Sequence, residues 1–511
     1  MKPEKFDAMV KKLESYAQRQ PVLYKLRVAL LAVLGYAYIF IVFTVLLATL
    51  IAVVGAVIYT ARANIFVIKF AFFLLVPLFV ILQSLWVHIP PPQGLKLTRQ
   101  QVPHLFELID DLREVLKAPQ LHRILLTPDF NAGIVQIPRL GVLGWQQNYL
   151  LIGLPLIQAL SPEQFRAVLA HELGHLSRNH GYFAGWIYRV RKTWAQIVTS
   201  LGQSQHSTLN LFTLFFNWYW PCFNAYSFVL ARNDEYEADR WAAKIAGSQH
   251  AAEALIQLEI LNQFLQQDFW AEIYKQAHTQ PEPPLAIFTQ LASALANGIK
   301  PERAQALFEQ ALTIETNNVD THPCLKERIS ALGYSSASLF DASKLGLSAA
   351  SHFLGKALPE FTEKLELEWR TAVNYQWHER YTYYQETSQN LQKLETKALQ
   401  PAGLTLEEAW QRAYFTAELE RDEEAIFLLK SVIERQADHA LANWLLGQLL
   451  LKLEDESGIR YLEKAMAQEP NSILPATQLI CYFLQKQGRD SEAEIYIKRL
   501  EEHYKNIVKQ R

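Results

Sequence analysis

The sequence predicts a mainly α-helical chain: an N-terminal transmembrane helical hairpin, a central α+β domain and a C-terminal α-solenoid of helical repeats. Three observations predict it. Two apolar runs lie near the N-terminus, strand-like segments broken by glycine and proline fill residues 124–154, and the chain beyond residue 403 repeats itself. The expected boundaries are a basic amphipathic segment over 1–27, the hairpin over 28–89, the central domain over 90–340, a helical connector over 341–403 and the repeats over 404–511. A chain of 511 residues, 50% of them hydrophobic, can fill several cores. The net charge of -2 gives no reason to expect a nucleic acid partner. Cys222, Cys324 and Cys481 are scattered with no paired spacing, which suits a reducing compartment.

The first element is a helical stripe, Phe6, Met9, Val10, Leu13 and Tyr16, on a basic background. It could lie on a membrane surface or pack on the soluble domain. Val28 to Tyr59 is then uncharged and apolar, and Ile65 to Val87 carries only Lys69 near one end. Each exceeds the ~20 residues that span a bilayer. Ala61-Arg62-Ala63 is the turn between them, and Lys69 can snorkel. The first run is too long for the apolar part of a secretion signal, and a second follows it, so a cleaved signal is not expected. Lys2, Lys5, Lys11, Lys12, Arg19, Lys25 and Arg27 precede the first run, against Arg62 alone in the turn. The positive-inside rule therefore puts the N-terminus, and after two crossings the central domain, in the cytoplasm. The expected location is a bacterial inner or plasma membrane, with the lipid bilayer as a partner.

Pro90-Pro91-Pro92-Gln93-Gly94 ends the hairpin. Val102 to Lys117 has helical periodicity, Ile124-Leu125-Leu126 reads as a short strand, and Tyr149-Leu150-Leu151-Ile152 as a second. A helix start follows: Ser161 as N-cap, Pro162 at the first helical position and Gln164 three residues past the cap. Within this helix stands His171-Glu172-Leu173-Gly174-His175. Positions i and i+4 share a helix face, so both imidazoles can reach one metal ion. Glu172 is then held where a carboxylate can take a proton from a water polarised by the metal. Two histidines leave zinc short of its usual three protein ligands. The charged run Arg232-Asn233-Asp234-Glu235-Tyr236-Glu237-Ala238-Asp239-Arg240 can supply the third. Spacing alone does not choose among Glu235, Glu237 and Asp239.

These motifs resemble the membrane-bound zinc metallopeptidases that include HtpX and the CAAX prenyl proteases. The likeness rests on His171-Glu172-Leu173-Gly174-His175 with His180 after it, on Glu235-Tyr236-Glu237-Ala238-Asp239, and on Thr321-His322-Pro323 followed by Glu327-Arg328-Ile329. It covers about residues 90 to 335. Ala231, where the family usually has serine, and Cys324, where a second proline is common, depart from the pattern without touching a proposed ligand. The resemblance implies a zincin-like peptidase domain with one Zn2+ per chain on His171, His175 and Glu235, Glu172 as general base, and Asp239 orienting a liganding imidazole. It implies further that His322 or Arg328 steadies the oxyanion of the tetrahedral intermediate. Asn131-Ala132 looks like the family's substrate-side signature. In a zincin arrangement the strand carrying Leu151 would be the sheet edge on which an extended peptide docks. Protein or peptide substrates, membrane-associated or misfolded, follow from the resemblance and from the location. The rivals are a membrane-tethered assembly factor with little proteolysis, and a processing protease for one lipidated partner.

Leu209 to Leu230 is apolar and crowded with aromatics. A single crossing there would separate Glu235 from His171 and His175, so it is expected to be buried or to lie in the membrane interface. Beyond Pro401-Ala402-Gly403 a repeat of about 34 residues is marked by Trp444, Leu446-Gly447, Gly458, Leu462, Ala465 and Pro470. Small residues at that interval let paired helices pack closely, as in tetratricopeptide repeats, whose concave faces bind partner proteins.

Overall fold

The structure is a computed structural model that describes residues 3–60, 64–85, 91–139, 146–176, 183, 185–187, 190–191, 194–195, 210–318, 320–334 and 347–510. The turn expected at Ala61-Arg62-Ala63, and His180, lie outside the described residues. The chain divides into two compact units, residues 1–272 with 284–372, and residues 273–283 with 373–511.

In the first unit, α1 (Pro3–Arg19) leads almost directly into α2 (Pro21–Thr60). Val10, Leu13 and Ala17 are buried, so the α1 stripe packs on protein. At 1.5 Å per residue a 40-residue helix runs about 60 Å, twice the thickness of a bilayer's hydrocarbon. Its two halves differ. Tyr24, Val28, Ala32, Gly35 and Ile39 are buried, whereas the most apolar 18-residue stretch of the helix has none of its residues buried. α2 is thus one helix long and apolar enough to cross a membrane. α3 (Ile65–Leu85) follows, with Ile65–Leu75 as a shorter apolar stretch.

The buried half of α2 runs along α7 (Asn210–Ala246), a single helix of 37 residues that contains both the aromatic stretch and the second motif. Tyr24 Oη donates to the Tyr226 carbonyl at 2.6 Å, and Tyr219 Oη to the Leu31 carbonyl at 2.9 Å. Tyr38 stacks on Phe215 at 3.7 Å between centroids. As α2 advances its partners on α7 recede, so the pair is antiparallel. Gly35 makes the contact possible: a Cβ there would fall 2.6 Å from Tyr219 Oη. Phe216, Tyr219, Phe223 and Phe228 are buried, while Leu214 and Trp218 face outward. The aromatic run is therefore largely interior, one of the two expected alternatives.

The sheet follows Gly94. Its strands are β1 (Leu95–Lys96), β2 (Arg123–Thr127), β3 (Ala132–Pro138) and β4 (Gln146–Gly153), in the order β1-β2-β4-β3. β4 pairs with β2 in parallel and with β3 antiparallel. The strand carrying Leu151 is therefore interior, hydrogen-bonded on both sides, and cannot accept a substrate strand; this corrects the expected edge. Among the described residues β1 and β3 are the edge strands of the sheet. α4 (Pro103–Leu116) covers the region between β1 and β2 in sequence, α5 (Leu154–Ala159) follows β4, and α6 (Pro162–Gly174) buries Phe165, Leu169 and Leu173. The start of α6 has the expected capping box, with Ser161 Oγ accepting from Gln164 N at 3.2 Å and Gln164 Oε1 accepting from Ser161 N at 3.0 Å.

The second unit includes the latter part of helix Leu358–Ala398 and six helices joined by short turns: Leu406–Glu418, Asp422–Arg435, Ala440–Lys452, Gly458–Gln468, Ile473–Lys486 and Asp490–Gln510. Two glycines let the third and fourth approach closely. A Cβ on Gly447 would lie 2.8 Å from the Gly458 carbonyl, and one on Gly458 2.6 Å from the Gly447 carbonyl.

Candidate metal centre

The centre is built where α6 crosses α7. Gly174 of the first motif lies against Ala238 of the second: a Cβ on Gly174 would sit 3.5 Å from Ala238 Cα, with Ala238 itself buried. Small residues at the crossing let the helices approach closely enough for Glu235 of α7 to meet the histidines of α6. His171 Nε2 and His175 Nε2 are 3.2 Å apart. Glu235 Oε2 is 3.4 Å from His171 Nε2, and Glu235 Oε1 is 3.7 Å from His175 Nε2. One ligand atom from each of the three residues lies within 4.8 Å of the others.

The far side of His171 is fixed. Its Nδ1 donates to Asp239 Oδ1 at 2.9 Å, which turns Nε2 toward Glu235. Asp239 also accepts from Arg328 Nε at 2.8 Å and Nη2 at 2.7 Å. Arg328 lies on helix Leu325–Ala331 and is only 15% exposed. Two Arg328 nitrogens thus hold Asp239, through which Arg328 reaches His171. His322 lies on the other side of Glu235. Its Nε2 is 3.4 Å from Glu235 Oε2, and its side chain is 52% exposed on a loop.

The electrostatics suit a cation. Burial would lower His171, but Asp239 and Glu235 hold it up at about 9. Burial and the charge on His171 push His175 down to about 4. Burial opposes ionisation of Glu235, yet His171 and His175 hold it at about 2. Asp239 is held well below the usual carboxylate range against its burial, by Arg328 and His171. Glu172 is raised to about 7, by burial and then by Glu235, with His171 opposing. Glu235 Oε2 is buried and accepts no hydrogen bond among the described residues. An anionic oxygen left unsatisfied between imidazoles is costly unless something positive meets it. His171, His175 and Glu235 are a nitrogen and carboxylate donor set of the kind zinc takes, so the residues fit a metal ion.

Residues 141–336 match peptidase family M48. Over this segment the chain is similar to that family. No curated protein matches the chain. The match indicates a metallopeptidase, and the His171, His175 and Glu235 cluster is compatible with holding its metal. Beside it opens a cavity of about 560 Å³, lined on one side by Ile134, Val135 and Gln136 of β3 and on the other by Glu172, His175 and Asp234. Asn131 and Ala132 do not line this cavity. The Asn131 carbonyl accepts from Gly153 N at 2.8 Å, and Ala132 is buried opposite Ile152. Ala132 opens β3 and Asn131 precedes it, and the residues that reach the cavity come two to four positions after Ala132. Leu151 packs with Leu125, Ile137 and Tyr149. Sequence reasoning passed over Asp320, whose Oδ1 accepts from His322 N at 3.1 Å and from its Nδ1 at 2.9 Å. An Asp two residues before a site histidine was the available signal. It also passed over Arg232, one turn before Glu235 in the same charged run.

Proposed function

We propose that the chain is a membrane-anchored, zinc-dependent endopeptidase that cleaves membrane-associated or misfolded proteins. The observation carrying this is the arrangement of His171, His175 and Glu235 around one point, with Glu172 next to His171 on the same helix and the β3 edge across the cavity. Bound zinc would polarise a scissile carbonyl and lower the pKa of a water enough for a carboxylate to take its proton. The rest is done by the chain. β3 offers main-chain groups along Ile134–Gln136, on which an extended substrate segment adds as an antiparallel strand. Glu172 takes the proton of the attacking water and passes it to the leaving amine. A carboxyl raised toward 7 is suited to both transfers. His322 Nε2 hydrogen-bonds the oxyanion, its other nitrogen held by Asp320.

The unburied apolar stretch of α2 supports membrane anchoring, and the second crossing rests on the apolar run Ile65 to Val87 of the sequence. The basic residues before α2 support a cytoplasmic site. The close glycine contact in the second unit supports tetratricopeptide-like repeats, which would bring substrates or a partner protein to the enzyme. The test is cleavage of casein and of an unfolded membrane protein by the detergent-solubilised full chain, with and without a chelator. Cleavage that stops with the chelator and returns with zinc is expected. Unchanged cleavage under chelation, or none with zinc bound, contradicts the proposal.

A further inference from the structure

We infer that α1 is a clasp that seats the His322 loop against the metal centre, with Arg232 as the positioning residue between them. The inference rests on the peptidase reading above. Arg232 of α7 is 6% exposed, one turn before Glu235. Its Nη1 donates to Glu14 Oε1 of α1 at 2.6 Å. Its Nη2 donates to the Asn317 carbonyl and, at 3.3 Å, to the Asp320 carbonyl. The guanidinium also lies over the Phe228 ring at 4.7 Å. A second link runs parallel: Asn318 Nδ2 donates to Asp7 Oδ1 of α1 at 2.7 Å.

The chain of contacts is continuous from α1 to the site. Glu14 neutralises a buried guanidinium, which is thereby held in place to grip two loop carbonyls. Asp320, whose carbonyl is gripped, holds His322 through its carboxylate, and His322 Nε2 stands 3.4 Å from Glu235 Oε2. The loop from Ile314 to Cys324 has no helix or strand among its described residues, and the side chains of Asp320 and His322 are 64% and 52% exposed. Hydrogen bonds within the loop, from Cys324 N to Thr316 Oγ1 and from Asp320 N to Asn317 Oδ1, shape the turn, whereas the bonds to Arg232 and Asp7 tie it to α7 and α1. α1 is well placed to hold the loop, because Val10, Leu13 and Ala17 are buried and Phe6 packs edge-on against Phe228 at 6.1 Å. A cluster of this kind could serve merely to fasten α1 to α7. Two loop carbonyls on the same guanidinium, and a separate Asp7 bond to the same loop, are more than that purpose needs.

The experiment is a double-mutant cycle on the full-length protein, with Asp7→Ala and Glu14→Gln each combined with His322→Ala. Turnover, KM, melting temperature, bound metal and hydrogen exchange at residues 316–322 are measured. Each clasp variant is expected to lower kcat about 3- to 10-fold with KM and bound metal unchanged, and to lower it no further when His322 is already alanine. Exchange at residues 316–322 should quicken in both. Asp7 is exposed, so its variant removes a loop contact without disturbing the core. Losses of equal size in the His322→Ala background, or exchange unchanged in both variants, overturn the clasp. An inactive wild type would instead refute the peptidase reading, and the exchange arm would still decide the clasp.

Discussion

The two sides of the metal centre are built differently. On the α6–α7 side His171 is placed by rigid elements: it is held by Asp239, and Asp239 by two nitrogens of Arg328, all buried or nearly so. On the opposite side His322 stands half-exposed on a loop, with one carboxylate behind it and α1 holding the loop from outside. The difference teaches a division of labour. Metal ligands need fixed geometry, which crossed helices supply, whereas a group that meets a substrate must let the substrate in.

That division can be broken most severely on the rigid side. His175→Ala removes one of three ligands and is expected to abolish both bound metal and turnover, read by metal analysis beside a cleavage assay. Arg328→Ala leaves the Asp239 carboxylate buried without its cation and is expected to cost about 3 kcal/mol of stability, measured by denaturant unfolding. The same variant should weaken metal binding about 10- to 100-fold, because His171 loses its fixed orientation. If Arg328→Ala instead left stability and metal unchanged while kcat fell, Arg328 would be meeting substrate after all. On the loop side, His322→Ala is expected to lower kcat about 100-fold with metal retained. Loss of metal there would erase the contrast between the two sides.

Two smaller effects sharpen it. His171, raised to about 9 in the metal-free protein, carries a proton at neutral pH that metal must displace. Affinity for zinc should therefore rise with pH up to about 9 and flatten above it, with proton release on binding below that point; calorimetry in buffers of different ionisation heat measures it. Affinity falling as pH rises would contradict the assignment. Leu151→Ala removes a half-buried side chain from its packing with Leu125, Ile137 and Tyr149. It should cost about 1–2 kcal/mol of stability and leave KM unchanged. A large rise in KM would restore Leu151 to the substrate side.

What could be read in the sequence was whatever is local. The capping box at Ser161 and Gln164, and the pairing of His171 with His175, depend on spacing within one helix, and both stand as expected. Glu235 and Asp239 could be placed on one helix face, though only the crossing of α6 and α7 at Gly174 and Ala238 shows that one reaches the ligands and the other the back of His171. Strand order is not local, so nothing in Tyr149–Ile152 reveals that β3 will cover its outer side. The partner of Arg328 was hidden for the same reason: an arginine near a predicted site is equally suited to an oxyanion or to a buried aspartate, and its bonds to Asp239 are set by tertiary contacts. The α1 stripe left two options open, and burial of Val10, Leu13 and Ala17 selects packing on protein.

The most direct test of the central claim is Glu172→Gln in the full-length protein, with bound metal and casein cleavage measured on the same sample. Glutamine keeps the shape but cannot take the proton. The account predicts one metal per chain in both proteins and a fall in kcat of at least about 100-fold in the variant. A variant that keeps its metal and still cleaves at the wild-type rate would contradict Glu172 as the base and, with it, the mechanism proposed for this chain.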